Sequence, residues 1–356
     1  MYNFINIFLF FKNMNKKNHY RILKDIISEK DNFILKTNNY KISKYGKDPY
    51  ERDFKELLNK GLIIVDKHSG PTSHQVVDNL KKILKIKKAG HSGTLDPKVT
   101  GVLVCGLGKG TKLMEYLLKS EKEYVVLMYL HKDVSTNNLI KTMNKFKGKI
   151  KQKPPVLSSV KRVLREREIY ELEILEIDRR FVLFRALVQH GTYIRKLCHD
   201  IGRSLGVGAH MIELRRTKTS GFSEENSICL TKLKDLIDLY NQLKDKEKKE
   251  KVENILREYI FPMEVGFKKI KKVFVKDSTI GRLSYGGDLA IPGVVKFQNN
   301  IEKGDTVAIF SLKREIVSVG ISLLSSKEVE KKKKGFFVKT NKVFIDKGVY
   351  PIPWKE

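Results

Sequence analysis

Residues 91–103 read HSGTLDPKVTGVL, and the rest of the chain is interpreted outward from them. The stretch holds one carboxylate, Asp96, directly before Pro97 and between Gly93 and Gly101. Glycine permits backbone geometry and close approaches that a side chain forbids, and proline stiffens the chain that follows the carboxylate. A loop of this kind can present Asp96 as a nucleophile or general base. Taken by itself, an Asp before Pro is more often a turn residue, so the surrounding sequence has to decide.

Both flanks read as buried strands, Leu62 to Val65 before the loop and Val102 to Leu107 after it. Between them Ser73 is expected to cap a helix in which Val76, Val77, Leu80, Ile83 and Leu84 share one face. Thr111 is expected to cap a short helix, and Tyr124 to Leu130 to form a third strand. After Pro154 and Pro155 come further strands, clearest at Phe181 to Gln189, then a helix from near Thr192 to about Ser204. Helical patterns recur at 231–239 and 251–260, and KDKEKKEK (244–251) reads as a charged connector or a solvated helix face. Beyond Lys268 the texture changes to short β segments with Gly-rich turns: VFVKDS, YGGDLAIPGVVKF, KGDTVAIF and EIVSVGISLL. The fold class is therefore α+β: a mixed-sheet domain with flanking helices over 56–265 and a small all-β barrel over 266–347. Residues 1–55 read as a partly extended arm and 348–356 as a tail. The apolar run FINIFLFF (4–11) is shorter than the roughly 20 residues of a membrane span. It also lacks the basic start and cleavage site of a signal peptide; no membrane role is expected, and Met14 is an alternative start.

The 356 residues suffice for two domains. Lys and Arg number 71 against 41 Asp and Glu, a formal net charge of +30. Such an excess favours a polyanionic partner, because neutralising phosphates releases counterions. A bias toward Ile, Asn and Lys accounts for part of it. Basic segments cluster in KKILKIKK (81–88), KRVLRER (161–167), Arg215-Arg216 and KKIKKVFVK (268–276), each of which could also be a solvated face. Cys105, Cys198 and Cys229 form no C-x-x-C pair and read as buried thiols in a reducing compartment. No metal-ligand spacing and no phosphate-binding glycine loop is present, so no cofactor is expected.

The blocks GLIIVDKHSGPTSHQVVDNLKKIL (61–84) and KAGHSGTLDPKVTGVLVCGLGKGTKL (88–113) resemble the TruB-type pseudouridine synthases. They resemble more closely the dyskerin-like catalytic subunits of H/ACA ribonucleoproteins. KEYVVLMYLH, KQKPPVLSSVKRVLRERE and QHGTYIRKLCHDIGRSLGVGAHMIELRRTKTSG continue the likeness in the same order, and the β-rich tail resembles a PUA domain. The likeness runs from about residue 50 to Trp354.

The resemblance implies an enzyme that breaks the glycosidic bond of uridine in RNA, rotates the base and rejoins it through carbon 5. It implies Asp96 as the catalytic aspartate, Arg195 of GTYIR as its carboxylate partner, and Tyr124 as the ring that stacks on the target base. Tyr193, Lys67 and His91 fall near the same site. A site that excludes water disfavours an ionised carboxylate, so a neighbouring cation such as Arg195 is needed. Other readings stay open: Arg195 as a phosphate binder, Tyr124 and Tyr193 as core, Lys67 at a strand end, His91 bracing the loop. With this motif set, Lys81, Lys82, Arg215 and Arg216 read as a surface that follows phosphates. In the PUA block, Tyr285, Gly286, Gly287, Pro292 and Gly293 are the elements expected to hold the guide RNA.

Implied partners are an H/ACA guide RNA, substrate rRNA and three small core proteins, with roles in rRNA modification and ribosome biogenesis. The compartment would be the nucleolus in a eukaryote or the cytoplasm in an archaeon. The alternative is a stand-alone synthase for the tRNA T-loop. Such enzymes carry a longer insertion after the tyrosine strand, whereas Val134 to Pro154 here fits only a short helix and a turn. A non-catalytic RNA scaffold is a third reading, opposed by the intact Asp96, Tyr124 and Arg195 set.

Overall fold

The computed structural model describes residues 32–154 and 162–352. The FINIFLFF run, Met14, residues 155–161 and Trp354 lie outside the described residues. The chain divides into two compact units, one of Leu62–Ile260 and one that joins the residues up to Gly61 to those from Phe261 onward.

The first unit is built on a mixed sheet. Its strands are β1 (Gly61–Lys67), β2 (Ala89–His91), β3 (Thr100–Leu107), β4 (Lys122–Leu130), β5 (Gly148–Gln152), β6 (Arg165–Asp178), β7 (Phe181–Val188), β8 (Ala209–Thr219) and β9 (Phe222–Ser223). They run in the order β1-β3-β8-β4-β7-β6-β5, with β2 added to β3 and β9 to β8. Among these strands β3 and β8 pair in parallel, through Thr100–Arg215 and Gly101–Arg216. Leu62 to Val65 and Val102 to Val104 are fully enclosed, as their unbroken apolar runs require.

Helices α1 (Ser73–Leu84), α2 (Met114–Leu118), α3 (Thr136–Asn144), α4 (Ile194–Ser204), α5 (Leu230–Gln242) and α6 (Lys246–Leu256) complete the unit. The core face of α1 buries Val76, Val77, Leu80 and Leu84. Its cap differs from the sequence expectation. Thr72 and Gln75 form the capping box, which frees the Ser73 hydroxyl for another task described below. Thr111 likewise bonds the Gly108 carbonyl within a 3-10 turn and does not cap α2. Most of KDKEKKEK lies on α6, so the helix-face reading holds there.

The second unit contains β10 (Lys271–Val275), α7 (Asp277–Ser284), β11 (Leu289–Ala290), β12 (Val294–Gln298), β13 (Thr306–Phe310), β14 (Ile316–Ser322), α8 (Ser326–Lys331) and β15 (Phe336–Val343). Val273, Ile280, Leu289, Phe297, Ile309, Val317 and Phe337 meet in its core.

Two sequence expectations are corrected here. The N-terminal arm is no separate segment: Phe33–Leu35 adds an antiparallel strand to β12, and the Lys36 ammonium bonds the Val329 carbonyl at 2.8 Å. Arg52 forks onto buried Glu264 at 2.8 and 2.7 Å, and Arg314 pairs with Asp48. Nor do residues 348–352 form a loose tail, because Tyr350 is buried and donates its hydroxyl to Glu315 at 3.2 Å.

Candidate active site

The loop between β2 and β3 carries Asp96 and is fastened on both sides of it. On the near side, the buried Ser73 hydroxyl accepts from Leu95 N at 2.8 Å and donates to Leu95 O at 3.1 Å. On the far side, the fully buried Lys67 ammonium donates to the carbonyls of Pro97 and Val99, each at 2.8 Å, and of His68 at 2.9 Å. The Val99 amide returns to the Asp96 carbonyl at 3.0 Å and closes the turn. Gly101 has φ +101°, and a Cβ there would lie 2.9 Å from the Arg216 nitrogen and nearer still to its carbonyl oxygen. Glycine is what lets β3 leave the loop in contact with β8.

Arg195 comes from the first turn of α4. The Gln152 amide sets the start of that helix, accepting from Tyr193 N at 2.9 Å and donating to Tyr193 O at 3.2 Å. The Arg195 Nη2 donates to the Asp96 Oδ2, so two residues 99 positions apart meet through a charge-assisted hydrogen bond. Both side chains are 57% exposed. Among the described residues, therefore, the pair lies open to solvent and is not enclosed as the sequence anticipated.

Tyr124 lies deeper than an open stacking platform would, at 8% exposure. Tyr193 is half-buried. The His91 ring stands edge-on to His74 at 5.1 Å, and its buried Nδ1 has no hydrogen-bond partner among the described residues. Burial first, then the neighbouring His74 and Arg216, push the His91 imidazole below its ordinary value. Burial likewise lowers Lys67, opposed by the Asp96 charge. Lys122 carries no signal in the sequence, where it precedes the strand expected at Tyr124 to Leu130. It is buried behind the loop and bonds the carbonyls of Leu118 at 3.1 Å and Ser120 at 2.7 Å. Burial, then Arg216, bring its ammonium down to about 8.

Among the basic residues expected to follow RNA, Arg216 is corrected outright: it is fully buried and bonds the carbonyls of Val102 at 2.8 Å and Gly93 at 3.2 Å. Arg215 is also committed internally, to Asp66 at 3.0 and 3.2 Å and to Glu224 at 2.7 Å. Lys81 and Lys82 do line an open groove of about 470 Å³ with Lys85 and Lys87, although Lys81 is paired to Asp78 at 2.7 Å. In the second unit Tyr285 is exposed with the Lys347 ammonium 5.0 Å from its ring centre, and Gly286 and Pro292 are exposed beside half-buried Gly287. Gly293 is buried against Thr279, so its lack of a side chain serves packing and not RNA contact. Cys229 is exposed, in contrast to buried Cys105 and Cys198. Among the described residues no group of three His, Cys, Asp or Glu is placed to hold a metal, and no helix is long and apolar enough to cross a membrane.

Comparison with known proteins places these features. Residues 81–194 match the TruB family pseudouridylate synthase N-terminal domain, and 195–268 the tRNA pseudouridylate synthase B C-terminal domain. Residues 271–344 match the PUA domain and 23–77 the DKCLD domain. A probable tRNA pseudouridine synthase B of Archaeoglobus fulgidus is 46% identical over 325 residues, 91% of this chain and 98% of that protein. The chain belongs to the TruB family of pseudouridylate synthases. This TruB-family enzyme is an isomerase acting on RNA. A probable tRNA pseudouridine synthase B of Nanoarchaeum equitans is 48% identical over 311 residues, 87% of each protein. Among solved structures, a Cbf5-Nop10-Gar1 complex matches with TM-score 0.83 at 44% identity, covering 90% of this chain and 96% of the other. An H/ACA ribonucleoprotein bound to a substrate RNA containing 2'-deoxyuridine matches with TM-score 0.82 at 43% identity, covering 91% and 98%.

Two predictions follow from the braces in this TruB-family site. Ser73→Ala leaves the buried Leu95 amide and carbonyl unpaired, so stability should fall by about 1–3 kcal/mol. Because a 1 Å misplacement can cost about 10²-fold, the single-turnover rate should fall at least about tenfold; thermal melts run beside the rate assay test both. Lys122, whose folded value lies below its ordinary 10.5, is charged in both states below about pH 8. There the folded state carries the full penalty of burying it, and stability gains from this residue as pH rises from about 8 toward 10.5. Urea melts at pH 7.5 and pH 10 should show this gain in the parent and lose it in Lys122→Met.

Proposed function

We propose that this synthase is RNA-guided: the catalytic subunit of an H/ACA-type ribonucleoprotein, isomerising uridine to pseudouridine in a substrate RNA that a guide RNA presents. The contact of Asp96 with Arg195, at the mouth of a fastened loop and open to solvent, carries the reading. It sets one anion, already paired and oriented, where an extruded nucleotide can reach it. Arg195 keeps the carboxylate aimed through its charge-assisted hydrogen bond. Asp96 then attacks the ribose, attacks the base or removes a ribose proton; each route needs the anion. In this reading Tyr124 and Tyr193 meet the extruded base, while Lys67 fastens the loop and His91 stands beside it.

Guidance by a separate RNA is favoured by what lies between the tyrosine strand β4 and β6. That interval holds α3 (Thr136–Asn144) and β5 (Gly148–Gln152), leaving little chain to clamp a tRNA unaided. The similar solved structures are of a Cbf5-Nop10-Gar1 complex and of an H/ACA ribonucleoprotein bound to a substrate RNA, which supports small partner proteins of that kind. A second reading, a stand-alone tRNA enzyme, draws on the names of the relatives, probable tRNA pseudouridine synthase B.

The experiment incubates the chain with a bare tRNA transcript, and separately with a guide RNA, its target and the small partner proteins. Pseudouridine is then counted in each RNA. Guided modification at least about tenfold faster than tRNA modification is expected; efficient tRNA modification without a guide would overturn guidance and leave the isomerase intact.

A further inference from the structure

Arg216 is buried beneath the site, and the bonds of its Nε and Nη2 run to the backbone. Whereas Arg215 is neutralised by Asp66 and Glu224, Arg216 has no carboxylate partner among the described residues. Its acceptors, Gly93 O at 3.2 Å and Val102 O at 2.8 Å, stand on opposite sides of the loop that carries Asp96. One guanidinium thus spans the neck of that loop. Its own backbone forms the other half of the joint, since Gly101 pairs with Arg216 in the parallel register and packs onto its peptide. On the opposite neighbour, Tyr124 of β4 is the register partner of Arg216, and its phenol is near enough to act on the guanidinium charge. The third arm, Nη1, makes no bond to the backbone, and the only side chain that acts on the guanidinium at hydrogen-bond range among the described residues is the Tyr124 phenol.

A buried cation without a counter-ion is costly, and an apolar side chain of similar volume would fill the space more cheaply. What an apolar residue cannot do is tie two carbonyls together. A lysine cannot replace the fork, because a single ammonium nitrogen does not present planar donors in two fixed directions.

We propose that Arg216 is a positioning residue that fixes the Asp96 loop and the Tyr124 strand as one rigid cradle, without touching RNA itself. The proposal rests on the reading that Asp96 performs the chemistry.

The test uses the full chain with the guide RNA, target and small partner proteins, and in parallel with the bare tRNA transcript, comparing parent, Arg216→Lys, Arg216→Met and the core variant Leu80→Ala. At saturating RNA, both Arg216 variants should react at least about thirtyfold more slowly while their RNA Kd stays within about twofold. Amide hydrogen exchange at 94–102 in the RNA-free protein should accelerate in both. Leu80→Ala, also destabilised but remote in the α1 core, should keep its rate within about threefold of the parent. If the Arg216 variants fail to fold, Gly101→Ala, which forces a methyl against the same Arg216 peptide, carries the same readouts. An Arg216 variant with parental rate and exchange overturns the proposal, as does one that loses RNA affinity but keeps its rate, which would make Arg216 a phosphate contact. Should the parent form no pseudouridine with any RNA, the functional reading fails instead, and the exchange at 94–102 still decides whether Arg216 holds the loop.

Discussion

Asp96→Asn should bind RNA as the parent does and convert almost none of it, with a rate below about 10⁻³ of the parental value. The substitution keeps the size of the side chain but removes the charge, and all three routes open to Asp96 use that charge. Positioned proton transfer alone contributes about 10² to 10⁴ in rate, and loss of a covalent or electrostatic role adds to it. Arg195 would also face a neutral amide where it now meets Asp96. The pair sits 57% exposed and braces no core, so the fold and the melting temperature should change little. Chromatography of nucleosides digested from the RNA, with a parallel binding titration, separates chemistry from affinity. Activity within tenfold of the parent would end the assignment of Asp96 and return the site to a binding role.

Arg52→Met should destabilise the second unit by about 3–5 kcal/mol, the typical cost of leaving one side of a buried ion pair uncompensated. Arg52, Glu264 and Glu315 are all buried, and the Glu264 oxygens receive both Arg52 donors and the Ile316 amide. Glu315 stands 3.8 Å from the same guanidinium. Burial holds the Glu315 carboxyl above its ordinary 4.5, and the Arg52 charge is the main influence pulling it down. Removing Arg52 raises it further. A carboxyl whose folded value is raised binds its proton more tightly in the folded state, so stability is lost as pH rises through that raised value. The defect should accordingly be largest at pH 7 and shrink toward pH 5, as read by urea denaturation at the two values. A variant as stable as its parent at pH 7 would show that the cluster is not an energetic anchor of this unit.

The sequence exposed the strands that were apolar throughout and the helices with a clear core face, because burial writes directly into composition there. It also exposed Asp96 and Arg195 through the motifs around them, although nothing in their spacing shows that they touch. What it could not show was the work of buried polar groups. Ser73 reads as a helix cap since serine before an apolar face ordinarily caps, yet Thr72 one residue earlier takes that place and Ser73 turns to Leu95. Arg215 and Arg216 read as surface because arginine usually is, and only the three-dimensional register reveals that one is paired and the other enclosed. The arm over 33–55 looked unstructured because its anchors, β12, Glu264 and Arg314, lie more than 200 residues away.

That last arrangement bears on how the protein is made. The second unit draws strand Phe33–Leu35 from the front of the chain and its remaining strands from residues 271–343, with Leu62–Ile260 inserted between. On a ribosome, the inserted body has its whole sequence available long before its host does. Phe33–Leu35 must wait, unpaired, until β12 has emerged to receive it, and domains that fold as units during synthesis complete in the order their sequence appears. Nascent chains long enough to expose residue 260 outside the ribosome, but not yet β12, should therefore hold a finished body and an unclaimed leading strand.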